Sequence, residues 1–217
     1  AVANFLLLLG WSLDDKTEIM GPEAAIEGFS LERVSRSAAI FDHDKLTWMN
    51  GVYIRQLSVE ELADRLLPIL QQGLPAVLPP VSRDQLLRIV PLIQQRTKLL
   101  SEAVDLTSYF FQAEVEYDPL NLVQKGMDRE SALAALGAAK EGLAKVAQFE
   151  HEAMEELLRA EASRLGLSAR QFFGTLRVAA TGRETSPPLF ETMEVLGRQR
   201  VLARVGSAIE RLNAVPH

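Results

Sequence analysis

Signals that start and stop helices recur from one end of this 217-residue chain to the other. Ser58-Val59-Glu60-Glu61 reads as a capping box before Leu62, Leu66, Ile69 and Leu70, and Gly73 stops that run. Ser82-Arg83-Asp84-Gln85 is a second box, opening a helix through Leu86, Leu87, Val90, Ile93 and Leu99 in which Pro91 predicts a kink. Residues 4–9 end at Gly10, Pro22 opens a short helix after Gly21, and Asp42 is placed to cap residues 44–55, with Leu46, Met49, Val52 and Tyr53 at helical spacing. Residues 128–146 are Ala-rich. Residues 149–165 carry Met154, Leu157, Leu158 and Leu165 on one face, ended by Gly166. Ser168 is placed to cap residues 169–181, and further helices are expected over 187–196, before Gly197, and over 198–212. Residues 73–80, rich in proline, and 112–127 read as connections. No segment alternates convincingly in the manner of a strand. The expected fold is all-α, built as layered helical bundles.

Around Gly182 two expected helix ends meet. Glycine tolerates the left-handed conformation that closes a helix; Ser186 is expected to cap the next one and Pro187 to occupy its first position. Unpaired amide donors, Ser186, Arg177 and Arg183 at such a corner suit an anionic, splayed partner such as a single-stranded RNA loop; the alternative reading is an ordinary helix–helix turn.

Charge is unevenly distributed over the net −6. Residues 82–100 hold four basic side chains against one acidic, and residues 164–217 hold eight arginines against four acidic side chains. The rest of the chain is acidic. Arginine suits phosphates and base edges, so the two basic islands fit a nucleic acid, and equally a solvated helix face. The absence of cysteine removes disulfides, thiolate catalysis and cysteine-ligated zinc, and His43, His151 and His217 do not share metal-ligand spacing. No nucleophile–base pattern and no phosphate-cradling glycine loop is readable. Carboxylates at 152, 155 and 156 read as a solvated helix face. No apolar run nears the roughly 20 residues of a membrane span, and no secretory leader is seen, so a cytoplasmic location is expected. The start at Ala1-Val2, within a helical pattern, suggests a piece of a longer protein.

Phe41-Asp42-His43-Asp44-Lys45-Leu46-Thr47-Trp48-Met49-Asn50-Gly51-Val52-Tyr53-Ile54-Arg55 resembles the stem-contact segment of bacterial glutamyl-tRNA synthetases, class I enzymes, through the pattern F-D-x-x-K-L-x-W-x-N-x-x-Y-I. Residues 4–12 resemble the piece that follows their catalytic loop, and 177–202 their C-terminal anticodon-binding segment. The matches run in family order across nearly the whole chain. Val34-Ser35-Arg36-Ser37 is similar to the family's lysine-serine loop only superficially, since it lacks the leading lysine.

The resemblance implies a stem-contact region over 1–72 and two helical anticodon-binding subdomains over 73–125 and 126–217. It implies anticodon contacts at Arg96, Arg159, Arg177, Ser186, Pro187 and Leu189, with Arg96 approaching the third anticodon base. Lys45 and Arg55 are expected to reach the tRNA stem, and Trp48 to lie in the core. The implied partner is tRNA(Glu), bound by a monomer, with neither membrane nor DNA involved. The parent enzyme would attach glutamate to tRNA(Glu) with ATP and Mg²⁺. Its two ATP motifs lie upstream of the piece matching residues 4–12, so no catalytic residue and no cofactor is expected in this sequence. A helical protein-interaction module reusing the same bundle is the competing expectation.

Overall fold

Short polar side chains open five of the α-helices among the described residues by accepting hydrogen bonds from amides that have no intrahelical partner. In the computed structural model, which describes residues 1–35 and 40–216, Asp42 accepts from the Lys45 amide, and Asp128 from that of Ser131. Ser58, Ser82 and Ser168 each form a complete capping box with Glu61, Gln85 and Gln171. The α-helices among the described residues are α1 Val2–Leu8, α2 Pro22–Gly28, α3 His43–Gln56, α4 Val59–Gly73, α5 Arg83–Ile93 and α6 Ala103–Phe111. They continue with α7 Arg129–Lys145, α8 His151–Arg164, α9 Ala169–Thr181, α10 Leu189–Leu196 and α11 Arg198–Ala214. Short 3₁₀ turns at Leu31–Arg33, Leu100–Glu102 and Pro119–Leu122 join them, and no strand is present among the described residues. The fold is all-α. Within the Val34–Ser37 segment, Arg36 and Ser37 lie outside the described residues.

One apolar core runs from Ile54 to Leu212. α4 buries Leu62, Leu66 and Leu70 at intervals of four against α5 and α6, although Pro68 sits inside it. Pro68 and Asp64, whose carbonyl loses its helical donor there, are both exposed, so water can take the missing amide's place. α11 packs along α7 and α9, α8 lies on α7 and α10, and α10 also touches α5. At the N-terminal end α1 packs on α3. The Tyr53 hydroxyl there lies 2.8 Å from Asn4 Oδ1 and 2.9 Å from the Met20 carbonyl.

Three local expectations need correction. α5 ends at Ile93 instead of running to Leu99. Pro91 has weakened its last turn, and the following residues bond elsewhere: Gln94 Nε2 donates to the Ile54 and Leu57 carbonyls, at 3.1 and 2.8 Å, and Asn50 Nδ2 to the Lys98 carbonyl at 2.6 Å. Trp48 is 44% exposed, because α3 turns Met49, Gly51 and Ile54 inward instead. Ser186 and Pro187 precede α10 without starting it: the helix begins at Leu189, with Pro188 in the capping position.

Candidate nucleic-acid interface

α9 ends in the left-handed turn expected of Gly182, at φ 72° and ψ 12°, with its amide donating 2.8 Å to the Val178 carbonyl. The chain then folds back, and Arg177 holds the return. Its Nη1 donates to Ser186 Oγ at 2.7 Å and to the Pro187 carbonyl at 3.1 Å. Ser186 Oγ in turn donates to that carbonyl at 2.9 Å. The serine hydroxyl is therefore occupied by the preceding helix and the turn, which is why it does not cap α10. Ser186, Pro187 and Leu189 are buried and shape the corner from behind.

Arg177 is half-buried and has no carboxylate partner among the described residues. Burial first, and then the charge of Arg96, hold its pKa below the usual arginine range. Arg96 itself is exposed on the turn after α5, with no ion-pair partner among the described residues. The turn after α5 thus brings the Arg96 charge close enough to act on Arg177 of α9, at one corner. Arg183 closes its other side. It forks onto Asp105 of α6 at 2.8 and 3.1 Å, with its guanidinium carbon 5.8 Å from the Tyr109 ring centre. Burial pushes the Tyr109 hydroxyl up to about 12.

Arg159 stands one helix away, on α8. It pairs with Glu155 at 2.5 Å and stacks on Phe173, 5.5 Å from the ring centre. Phe173 was not singled out by sequence. It lies one turn before Arg177 on α9, is partly exposed, and meets Phe190 edge-on at 5.1 Å. An aromatic four residues from a candidate arginine is the available signal, since both then share a helix face. Arg159, Phe173 and Arg177 therefore follow one line toward the corner. On α3, Lys45 pairs with Glu18 at 2.6 Å, whereas Arg55 has no ion-pair partner among the described residues.

The four arginines that α11 contributes to the island over 164–217 bond inward to the protein. Arg204 donates to the Tyr109, Gln112, Ala113 and Ala180 carbonyls. Arg200 donates to the Phe110 carbonyl, Arg211 to Val115 and Glu114, and Arg198 to the Val146 and Ala147 carbonyls. These side chains tie α11 to the chain that follows α6 and α7, so the count of charges overstates what faces a ligand. The helix-face carboxylates are also partly engaged, Glu155 by Arg159 and Glu152 by His151 at 3.0 Å. Among the described residues no group of three histidine or acidic side chains is placed to hold a metal ion.

A family model described as an anticodon binding domain matches residues 61–209, which include the whole corner. The chain belongs to this family. The match takes in α5, α9 and α10 but leaves α1 to α3 outside. The glutamate–tRNA ligase of Dehalococcoides mccartyi (strain BAV1) is 46% identical over 216 residues, 99% of this chain and 44% of its own length. That of Roseiflexus castenholzii is 46% identical over 216 residues, 99% of this chain and 43% of its own. The chain thus spans less than half the length of the curated relatives it matches. The crystal structure of a glutamate tRNA ligase from Elizabethkingia meningosepticum, in complex with its amino acid, superposes with a TM-score of 0.83 at 23% identity. It covers 97% of this chain and 41% of that one, a likeness of fold. The anticodon binding domain thus accounts for the corner, and the relatives extend the likeness to the N-terminal helices.

Proposed function

We propose that this chain is the tRNA-holding part of a glutamate–tRNA ligase, in which it recognises the anticodon of tRNA(Glu) as a monomer in the cytoplasm. The single observation that carries the reading is Arg96: an exposed guanidinium without a carboxylate partner among the described residues, beside the half-buried Arg177 that frames the corner. The proposed division is a stem-contact region over 1–72 and anticodon-binding subdomains over 73–125 and 126–217. Arg96 and Arg177 would face the anticodon, Arg159 with Phe173 would offer a stacking surface, and Lys45 and Arg55 would face the stem. Ser186, Pro187 and Leu189 would act by shaping the corner. ATP and Mg²⁺ would serve glutamate activation in the whole ligase. Among the described residues no cluster is suited to a metal ion.

A guanidinium carries only donors. Glutamate anticodons end in C, whose pairing edge offers two adjacent acceptors; glutamine anticodons end in G, which turns two donors outward beside one acceptor. Donor facing donor leaves buried groups unsatisfied, so Arg96 would favour C over G by about 1–3 kcal/mol. The check is equilibrium binding of this chain, at fixed salt, to tRNA(Glu) and to the same transcript with its third anticodon base changed to G. Arg96→Gln is expected to shrink the preference while the helical CD signal stays intact. An undiminished preference removes Arg96 as the discriminator. A wild-type chain that binds no tRNA overturns the whole reading in favour of a protein-interaction module.

A further inference from the structure

The turn after α5 presents cations in two directions. Thr97 anchors it: the side chain is fully buried, and both Oγ1 and the backbone amide donate to the Ile93 carbonyl at 3.0 Å. On one flank Arg96 belongs to the corner, where its charge acts on Arg177 and Tyr109. On the other flank Lys98 lies against α3, whose Asn50 fixes the Lys98 carbonyl. Gly51 is the point of contact. A Cβ there would stand 3.1 Å from Arg55 Nη1, 3.4 Å from Lys98 Cγ and 3.5 Å from Lys98 Cα. Glycine inside a helix is destabilising relative to alanine, and here its missing side chain lets the two cationic chains converge over the helix.

Neither Arg55 nor Lys98 has a carboxylate within ion-pair distance among the described residues. The carboxylate nearest along the chain, Glu102, is engaged: its Oε2 accepts from the Lys98 and Leu99 amides at 2.9 and 3.1 Å. Arg55 Nη1 and the stem of Lys98 meet over Gly51, so an anion seated there would find a guanidinium and an ammonium within reach and no competing carboxylate. The pairing of a planar guanidinium with a mobile ammonium suits a phosphate, which accepts a two-pronged bond from the first and a point charge from the second.

We infer that Arg55 and Lys98 form a phosphate clamp for the RNA backbone, continuous through the Thr97 turn with Arg96. The inference rests on the tRNA-binding reading above and adds Lys98 to it. One strand would run from the stem-contact helix α3 to the anticodon corner, held by backbone contacts that carry no base information.

The test is binding of the full chain to a tRNA(Glu) transcript across 50–200 mM salt, comparing wild type with Arg55→Gln, Lys98→Gln and the double variant. Each lost cation is expected to flatten the slope of log affinity against log salt by about 0.7–0.9, and equally for transcripts with C or G at the third anticodon position. Lys98→Arg keeps the charge and is expected to keep the slope. A double variant with native helical CD and an unchanged slope overturns the clamp, as does a loss of slope in Lys98→Arg equal to that in Lys98→Gln. If wild type binds no tRNA, the functional reading fails first. If wild type binds and responds to Arg96→Gln while the double variant keeps its slope, only the clamp fails.

Discussion

Arg204 is 2% exposed and has no carboxylate partner among the described residues, yet every prong of its guanidinium is engaged. Its acceptors lie at the C-terminal ends of α6 and α9, where carbonyls lack intrahelical donors and carry partial negative charge. Two helix ends thus stand in for a counter-ion. Burial lowers the arginine's pKa to about 10, which leaves it charged at neutral pH. Arg204→Met is expected to cost about 3–5 kcal/mol in urea unfolding, because it strands several buried carbonyls at once. Arg204→Lys is expected to recover only part of that loss, since an ammonium cannot reproduce the fork. The sequence placed Arg204 in a basic island and went no further. A charge reads the same whether it meets RNA or a carbonyl ninety residues away, and only the packing of α11 decides.

Helix ends were legible where the capping residue and its amide lie within a few positions of each other. Asp42, Ser58, Ser82 and Ser168 all cap as their spacing indicates. Ser186 fails for the opposite reason: Arg177, nine positions earlier, takes its hydroxyl. The end of α5 was misread because its competing partners, Asn50, Ile54 and Leu57, lie on another helix. Gly182 combines both kinds of constraint. Its φ of 72° disfavours any side chain, and a Cβ would also lie 3.0 Å from Val115 Cβ and 3.1 Å from the Glu116 carbonyl. Gly182→Ala is therefore expected to lower stability by about 1–2 kcal/mol for the backbone alone, with crowding adding to it. A denaturant midpoint unchanged from wild type would show that neither constraint operates.

Across the molecule, α8 and α10 meet at a joint built on His151 and Glu194, where a dependence on pH is expected. Glu194 accepts from the His151 backbone amide at 3.0 Å and lies 2.9 Å from His151 Nδ1, while Glu152 stands 3.0 Å from Nε2. Arg88 reaches the Glu194 carbonyl from α5 at 3.4 Å. The hydrogen bond to Glu194 raises the His151 pKa above its ordinary 6.5, and its neighbours Glu152 and Glu191 add to the effect. The Glu194 carboxyl is correspondingly held below its ordinary 4.5. A raised histidine contributes stability that is complete below pH 6.5 and fades as pH rises through the folded value. Glu194 contributes above pH 4.5 and fades as pH falls through its own lowered value. Proton NMR is expected to show His151 titrating above 6.5, and the stability deficit of His151→Gln is expected to be larger at pH 5.5 than at pH 8.5. Family resemblance pointed to the corner proposed to meet the anticodon, whereas this joint and the hydrogen bonds that occupy Ser186 needed three-dimensional neighbours to be seen.

The internal arginines also set an order of assembly. Residues 200, 204 and 211 bond to partners 90 to 97 positions earlier in the chain. At about 5–20 residues per second, a ribosome takes several seconds to cover such an interval. Throughout that time the carbonyl end of α6 has no guanidinium to meet it and α7 has no α11 to cover it. The faces of α7 and α9 that α11 covers are therefore expected to stay uncovered until α11 has been made.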